Sequence, residues 1–176
     1  MKKSTALLLG LAGATVLAGA GAALLLAPGK TGRNQKKPFI GRNYAHRGLH
    51  SEDKSVPENS LPAFDKAASA GYGIELDVQL SRDGQVVVFH DDDLNRVCGD
   101  ARRVDEVDYA ELKEMKLCQT EETIPLFSTV LETVKGRSPL IVELKTGRRN
   151  DELCRKTCET LAGYEGNYCI DLFKWR

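Results

Sequence analysis

The run Gly73-Ile74-Glu75-Leu76-Asp77-Val78-Gln79-Leu80 decides how this chain is read. Apolar and polar residues alternate along it, and in a strand successive side chains point to opposite faces. Ile74, Leu76 and Val78 then face a hydrophobic layer, while Glu75 and Asp77 face the other way. Two carboxylates on one face repel each other and are costly to hold together unless a cation lies between them. A second run, Leu140-Ile141-Val142-Glu143-Leu144-Lys145, repeats the alternation and puts Glu143 and Lys145 on one face. Three converging acids, a lysine and nearby histidines point to a metal site built for an anionic substrate.

Outward from these runs, strands alternate with helices. A short strand ends at Tyr44-Ala45-His46. Ser60 is placed to cap a helix, with Pro62 in its first turn and Gly71 at its end. Ser81-Arg82-Asp83-Gly84 is a turn. It leads into Val86-Val87-Val88-Phe89-His90, a nearly continuous apolar run of the kind found in strands buried on both faces. Helices are expected at residues 109–117, from a cap at Ser128 to Gly136, and from Asp151 to Leu161. A fifth strand begins near residues 167–170. This alternation predicts an α/β fold with a largely parallel sheet. The turn after residue 80 is too short for a helical crossover. The third strand is therefore either half of a local hairpin or a barrel strand whose helix is replaced by the turn.

The polar residues recur at strand ends: His46 and Arg47, then Glu75 and Asp77, then His90, then Glu143 and Lys145. The carboxyl ends of parallel strands are where α/β barrels build active sites. Glu75, Asp77 and Glu143 are hard oxygen donors, suited to Mg²⁺ or Ca²⁺ rather than zinc. His46 and His90 form a candidate acid–base pair: one activates a nucleophile and the other protonates a leaving oxygen. Arg47 offers a planar fork for phosphate oxygens and Lys145 a point charge beside the metal. Asn59 is read as orienting Arg47, binding a ligand, or simply belonging to the helix cap. Asp91 is read as fixing the tautomer of a histidine, with Asp92 and Asp93 as solvated loop.

Residues 1–28 contain the uncharged stretch 6–28, preceded by Lys2 and Lys3. It is long enough to cross a bilayer, which takes about 20 apolar residues. It is read as a single transmembrane anchor, and a cleaved signal peptide is the competing reading. Basic residues flank both ends, so the side of the membrane stays open. Residues 29–37 form a basic tether, and residues 38–176 the globular domain. The chain of 176 residues carries 25 basic and 25 acidic side chains, a balance unlike that of a nucleic-acid binder. The five cysteines are odd in number and form no complete disulfide framework. Cys154 and Cys158, at helical spacing, read as partly buried small hydrophobes.

In order and spacing, Ala45-His46-Arg47-Gly48, Pro57-Glu58-Asn59-Ser60, Ile74-Glu75-Leu76-Asp77-Val78, Asp83-Gly84, Val87-Val88-Phe89-His90-Asp91, Ile124-Pro125 and Val142-Glu143-Leu144-Lys145 resemble the glycerophosphodiester phosphodiesterases. The resemblance implies a TIM-type (β/α)8 barrel that uses a divalent metal to hydrolyse glycerophosphodiesters to glycerol phosphate and an alcohol. It implies His46 and His90 as the acid–base pair, Arg47 as phosphate contact, Glu75, Asp77 and Glu143 as metal ligands, and Lys145 as the basic active-site residue. It also implies that the third strand is the third barrel stave. A closed barrel takes about 250 residues, and residues 38–176 fall well short of that. The expectation is the N-terminal portion of such a barrel, behind one transmembrane helix. Truncation would leave its activity impaired unless a second copy or a separate second half covers the open strand edges. The alternatives are a non-catalytic membrane-anchored remnant and a phospholipase-type phosphodiesterase acting on intact lipid.

Overall fold

The computed structural model describes residues 33–145 and 147–171. The chain divides into two units, residues 1–37 and 38–176. In the first, the described residues form one helical turn, α1 (Arg33–Lys36). The expected anchor at residues 6–28 lies outside the described residues. Among those described, no helix is long and apolar enough to cross a membrane.

The second unit runs β1 (Tyr44–Ala45), α2 (Leu61–Ser69), β2 (Gly73–Leu80), β3 (Val86–Val88), α3 (Asn95–Cys98), α4 (Tyr109–Leu112), α5 (Phe127–Val134), β4 (Leu140–Leu144), α6 (Asn150–Leu161) and β5 (Tyr168–Asp171). Four strands are parallel, in the order β1-β2-β4-β5. Helices α2, α5 and α6 precede β2, β4 and β5, as between neighbouring staves of a barrel.

The third strand is not a stave. β3 pairs antiparallel with β2, Val78 opposite Val88 and Leu80 opposite Val86, while β2 pairs directly with β4. The turn between them closes with Ser81 N–H donating to the Gln85 carbonyl at 3.0 Å, and Gly84 sits at φ 77°. So short a connection reverses the chain and leaves no room for a crossover helix. β1 pairs with Gly73 and Ile74, so β1 and β3 share one edge of β2 at different heights.

The strand alternation sorts the side chains as expected. Ile74, Leu76, Val78, Leu140, Val142 and Leu144 are buried beneath Phe64 and Ala67 of α2, Phe127 and Val130 of α5, and Leu153 and Leu161 of α6. Burying one such aliphatic side chain contributes about 1.5–3 kcal/mol. β3 is buried on both faces: Val86 and Val88 join this core, while Val87 and Phe89 join a second one with Leu94, Val97, Val104, Leu112 and Ile124. Residues 89–124 thus form an excursion with its own apolar centre, to which Val87 of β3 also contributes.

Ser60 caps α2, its Oγ accepting from Ala63 N–H at 3.4 Å and donating to the Pro57 carbonyl at 2.7 Å. Other local expectations shift. The helix expected at residues 109–117 stops at Leu112, because Lys116 bridges Thr123 as extended chain and Cys118 turns left-handed at φ 51°. α5 begins one residue before Ser128, so Ser128 lies inside the helix and gives no cap. Cys154 and Cys158 are exposed rather than partly buried, because the buried stripe of α6 is Leu153, Thr157 and Leu161.

Candidate metal centre and catalytic rim

Strand register builds the acidic cluster. Asp77 and Glu143 are direct partners across β2 and β4, and Glu75 stands two residues before Asp77 on the same face. One carboxylate oxygen from each of the three lies within 4.8 Å of the others. Asp77 is fully buried, and its Oδ1 accepts no hydrogen bond among the described residues, with the Lys145 ammonium 3.5 Å away but not bonded to it. An orphaned buried carboxylate oxygen is expensive unless a cation or donor reaches it. Burial, then the Asp77 charge and the Glu143 charge, push the Glu75 carboxyl up to about 7, against the lowering effect of the Arg47 N–H. Hard oxygen donors, mutual repulsion and an orphaned lone pair fit a divalent cation.

The turn after β1 supplies the next groups. Arg47 and Gly48 both lie in the left-handed region, at φ 56° and 81°. For Arg47 this costs on the order of 1 kcal/mol, and it aims the backbone N–H at Glu75 Oε2, 3.0 Å away. The Arg47 guanidinium donates to Glu58 Oε1 at 3.0 Å, and its Nε lies 3.7 Å from Asp77 Oδ2, too far for a hydrogen bond. Asn59, also left-handed at φ 55°, donates its backbone N–H to the Arg47 carbonyl at 2.9 Å. Its Nδ2 donates to Asp77 Oδ2 at 3.0 Å. Asn59 is only 2% exposed, and through these two contacts it holds Asp77 and the Arg47 turn.

Lys145 follows β4, tied by its N–H to the Val78 carbonyl at 3.1 Å. Its Nζ lies 2.9 Å from Glu143 Oε1 and 3.5 Å from Asp77 Oδ1. His46 is largely exposed, with Nε2 3.8 Å from Glu75 Oε2. Partial burial and then the Arg47 charge lower its pKa, which favours the neutral ring that can accept a proton. His90 follows β3, and its Nδ1 lies 2.6 Å from Asp91 Oδ1. With Asp91 ionised, that nitrogen carries the proton and Nε2 is left for exchange. Burial raises the Asp91 carboxyl, but hydrogen bonds from Arg96 and His90 outweigh it and leave the group lowered.

The structure therefore brings the three acids, Lys145, Arg47 and Asn59 into contact, with His46 beside Glu75 and His90 held on the excursion. Two contributors escaped the sequence reading. Gln79 clamps the His90 segment by donating to the Phe89 and Asp91 carbonyls at 2.8 and 2.7 Å. Its place on the same strand face as Glu75 and Asp77 was the available signal. Arg96 contacts both Glu58 and Asp91, and no local pattern announces it.

Solved structures share this arrangement of elements. A glycerophosphodiester phosphodiesterase from Thermotoga maritima matches with TM-score 0.62 and 33% identity, over 74% of this chain and 53% of that one. A phosphodiesterase from Oleispira antarctica, solved with the product sn-glycerol-3-phosphate, matches with TM-score 0.70 and 29% identity, over 78% and 59%. Among sequences, a glycerophosphodiester phosphodiesterase of Bacillus altitudinis is 40% identical over 58% of this chain and 43% of its own length. A lysophospholipase D of Rattus norvegicus is 31% identical over 81% and 48%. The chain thus spans about half the length of the curated relatives it matches. The glycerophosphoryl diester phosphodiesterase family model matches residues 46–158, from the first histidine of the rim through most of α6. On its sheet, its acidic cluster and this match, the chain belongs to the glycerophosphoryl diester phosphodiesterase family.

Proposed function

We propose that this rim carries out metal-dependent hydrolysis of a glycerophosphodiester to glycerol 3-phosphate and an alcohol. The observation that carries the reading is the meeting of Glu75, Asp77 and Glu143 within 4.8 Å, next to His46 and Lys145. These three acids would hold Mg²⁺ or Ca²⁺. When bound, the cation supplies a fixed positive charge to the non-bridging phosphate oxygens.

The side chains supply the remainder. Arg47 and Lys145 offset charge that builds on the phosphoryl group. The nucleophile is water, or the substrate's own neighbouring hydroxyl, in which case the cyclic phosphate formed first is opened by water in a second displacement at phosphorus. As its oxygen bonds to phosphorus, its proton passes to one imidazole. The bond from phosphorus to the alcohol oxygen breaks, and the other imidazole protonates that oxygen. The neutral state of His46 suits it to accept the proton. His90, with Nδ1 engaged by Asp91, presents Nε2 to the leaving oxygen. Asn59 serves by fixing Asp77 rather than by touching substrate. An anchor at residues 6–28 would keep this chemistry near deacylated lipid products.

A phospholipase-type reading, supported by the lysophospholipase D relative, uses the same bond cleavage on a substrate bearing an acyl chain. Such a substrate needs apolar surface at the rim. The large exposed hydrophobic residues described are Ile40, Tyr168 and Ile170. Tyr168 and Ile170 pair with Leu140 and Val142 on the outer face, away from the acids. These two therefore give no apolar surface beside the acids for an acyl chain.

The test is release of glycerol 3-phosphate from glycerophosphocholine, glycerophosphoethanolamine and glycerophosphoglycerol by the purified chain. Turnover is expected to need Mg²⁺ or Ca²⁺, to stop with chelator, and to be lost in Glu75→Ala. No product from any of the three diesters, with the metal-loaded protein folded, would leave the non-catalytic reading in its place.

A further inference from the structure

Four residues of the rim are tied together by one exposed side chain in α3. Arg96 donates Nη1 and Nη2 to Glu58 Oε2 and Oε1 at 2.9 and 2.6 Å. On its other side it donates Nε and Nη2 to Asp91 Oδ2 and Oδ1 at 2.6 and 3.1 Å. Each carboxylate is engaged a second time. Glu58 Oε1 accepts from Arg47 Nη1 at 3.0 Å, and Asp91 Oδ1 accepts from His90 Nδ1 at 2.6 Å. The path Arg47–Glu58–Arg96–Asp91–His90 is continuous. It links the turn after β1 to the excursion after β3, which otherwise has its own apolar centre.

We propose that Arg96 is a positioning residue that locks the His90 imidazole and the Arg47 guanidinium into one fixed relation by bridging Asp91 and Glu58. The catalytic roles of His90 and Arg47 rest on the function proposed above, but the locking does not.

The competing reading is an ordinary surface ion pair, worth about 0–1 kcal/mol. The geometry argues against it. Arg96 is 47% exposed, but Glu58 and Asp91 are only 17% and 21% exposed. Both contacts are two-pronged, and planar fork geometry is what distinguishes a specifying contact from a loose one. The Arg96 hydrogen bond is the largest cause holding the Glu58 carboxyl down at about 2, and it outweighs the cost of burial. Both carboxylates thus stay ionised at neutral pH as acceptors. A lysine in place of Arg96 would offer a point charge and could not form both forks at once.

A free imidazole can carry its proton on either nitrogen. An ionised Asp91 held by Arg96 selects Nδ1–H, leaving Nε2 as the atom that exchanges a proton with a substrate oxygen. If Asp91 is released, the ring loses both its tautomer and its orientation.

The test reads the tautomer directly, on the full chain without metal. Imidazole nitrogen NMR shifts of His90, assigned with His90→Gln, are recorded above the ring's pKa in wild type, Arg96→Gln and Arg96→Lys. Wild type is expected to hold the Nδ1–H form. Arg96→Gln should move to a mixture, and Arg96→Lys should fall between the two. In the metal-loaded protein, kcat on glycerophosphocholine should fall about tenfold or more in Arg96→Gln. Arg96→Lys should recover part of that loss. A lowered Tm with the wild-type tautomer and kcat would make Arg96 merely structural and overturn the proposal. So would Arg96→Lys matching wild type in both readouts, which also decides the matter if Arg96→Gln does not fold. If wild type hydrolyses no diester, the functional reading fails, and the tautomer measurement still decides the role of Arg96.

Discussion

Lowering the pH should release a divalent cation from the acidic cluster, and Glu75 sets where. Its carboxyl rises from an ordinary 4.5 to about 7, first through burial and then through the Asp77 charge. A metal binds the ionised form, so apparent affinity should follow the ionised fraction of Glu75. That fraction is about one tenth at pH 6 and nine tenths at pH 8, which gives roughly a tenfold gain in affinity across the window from this group alone. Near pH 7, binding should expel about half a proton per ion. The same shift acts on the metal-free fold. A carboxyl raised in the folded state contributes stability below its unfolded pKa and loses it as pH rises through the folded value. The rise from 4.5 to about 7 corresponds to about 3 kcal/mol. Metal-free protein should therefore weaken between pH 4.5 and about pH 7 and change little above that, and metal should restore it. Calorimetric titration with Mg²⁺ and Ca²⁺ at pH 6, 7 and 8, in buffers of different ionisation enthalpy, counts the protons. Glu75→Gln should flatten the profile. A pH-independent affinity with no proton release in wild type would refute the coupling.

Three further outcomes concern the frame that positions the site. Gly48→Ala places a Cβ 2.8 Å from Ala63 Cβ and 2.9 Å from its carbonyl carbon, at a φ of 81°; urea unfolding should show a loss of about 2–4 kcal/mol. Phe64→Ala empties a fully buried position between α2 and the sheet and should cost about 3–5 kcal/mol by the same measurement. Ser60→Ala removes the α2 cap and should cost about 1 kcal/mol, with Ser60→Thr recovering most of it.

The strand-borne part of the site was legible because a strand's period assigns faces without reference to the rest of the fold. Glu75, Asp77 and Glu143 could be grouped from alternation alone, and the β2–β4 register closes the group. β3 shows where letters mislead. Its spacing allowed a hairpin or a stave, family resemblance favoured a stave, and the turn at Ser81–Gln85 decides for the hairpin. Asn59 could be noticed but not assigned, since its amide finds Asp77 only after the left-handed turn at Arg47 forms. Arg96 was invisible for a related reason. Glu58 is 38 positions away from it, and the acidic run 91–93 looks like solvated loop until the fold brings Arg96 to Asp91. Residues that act through partners distant in sequence leave no periodic trace.

The hairpin placement of β3 also separates two jobs. The acids that would grip an ion ride on staves welded to the outer helices, whereas His90 rides on an appendage with a private core. Ion capture and proton delivery are thus mounted on different mechanical supports. Residues 89–124 are in effect an exchangeable cassette: grafting a different one, with the Glu58 bridge kept, would retune leaving-group chemistry while the ion grip stays as it is.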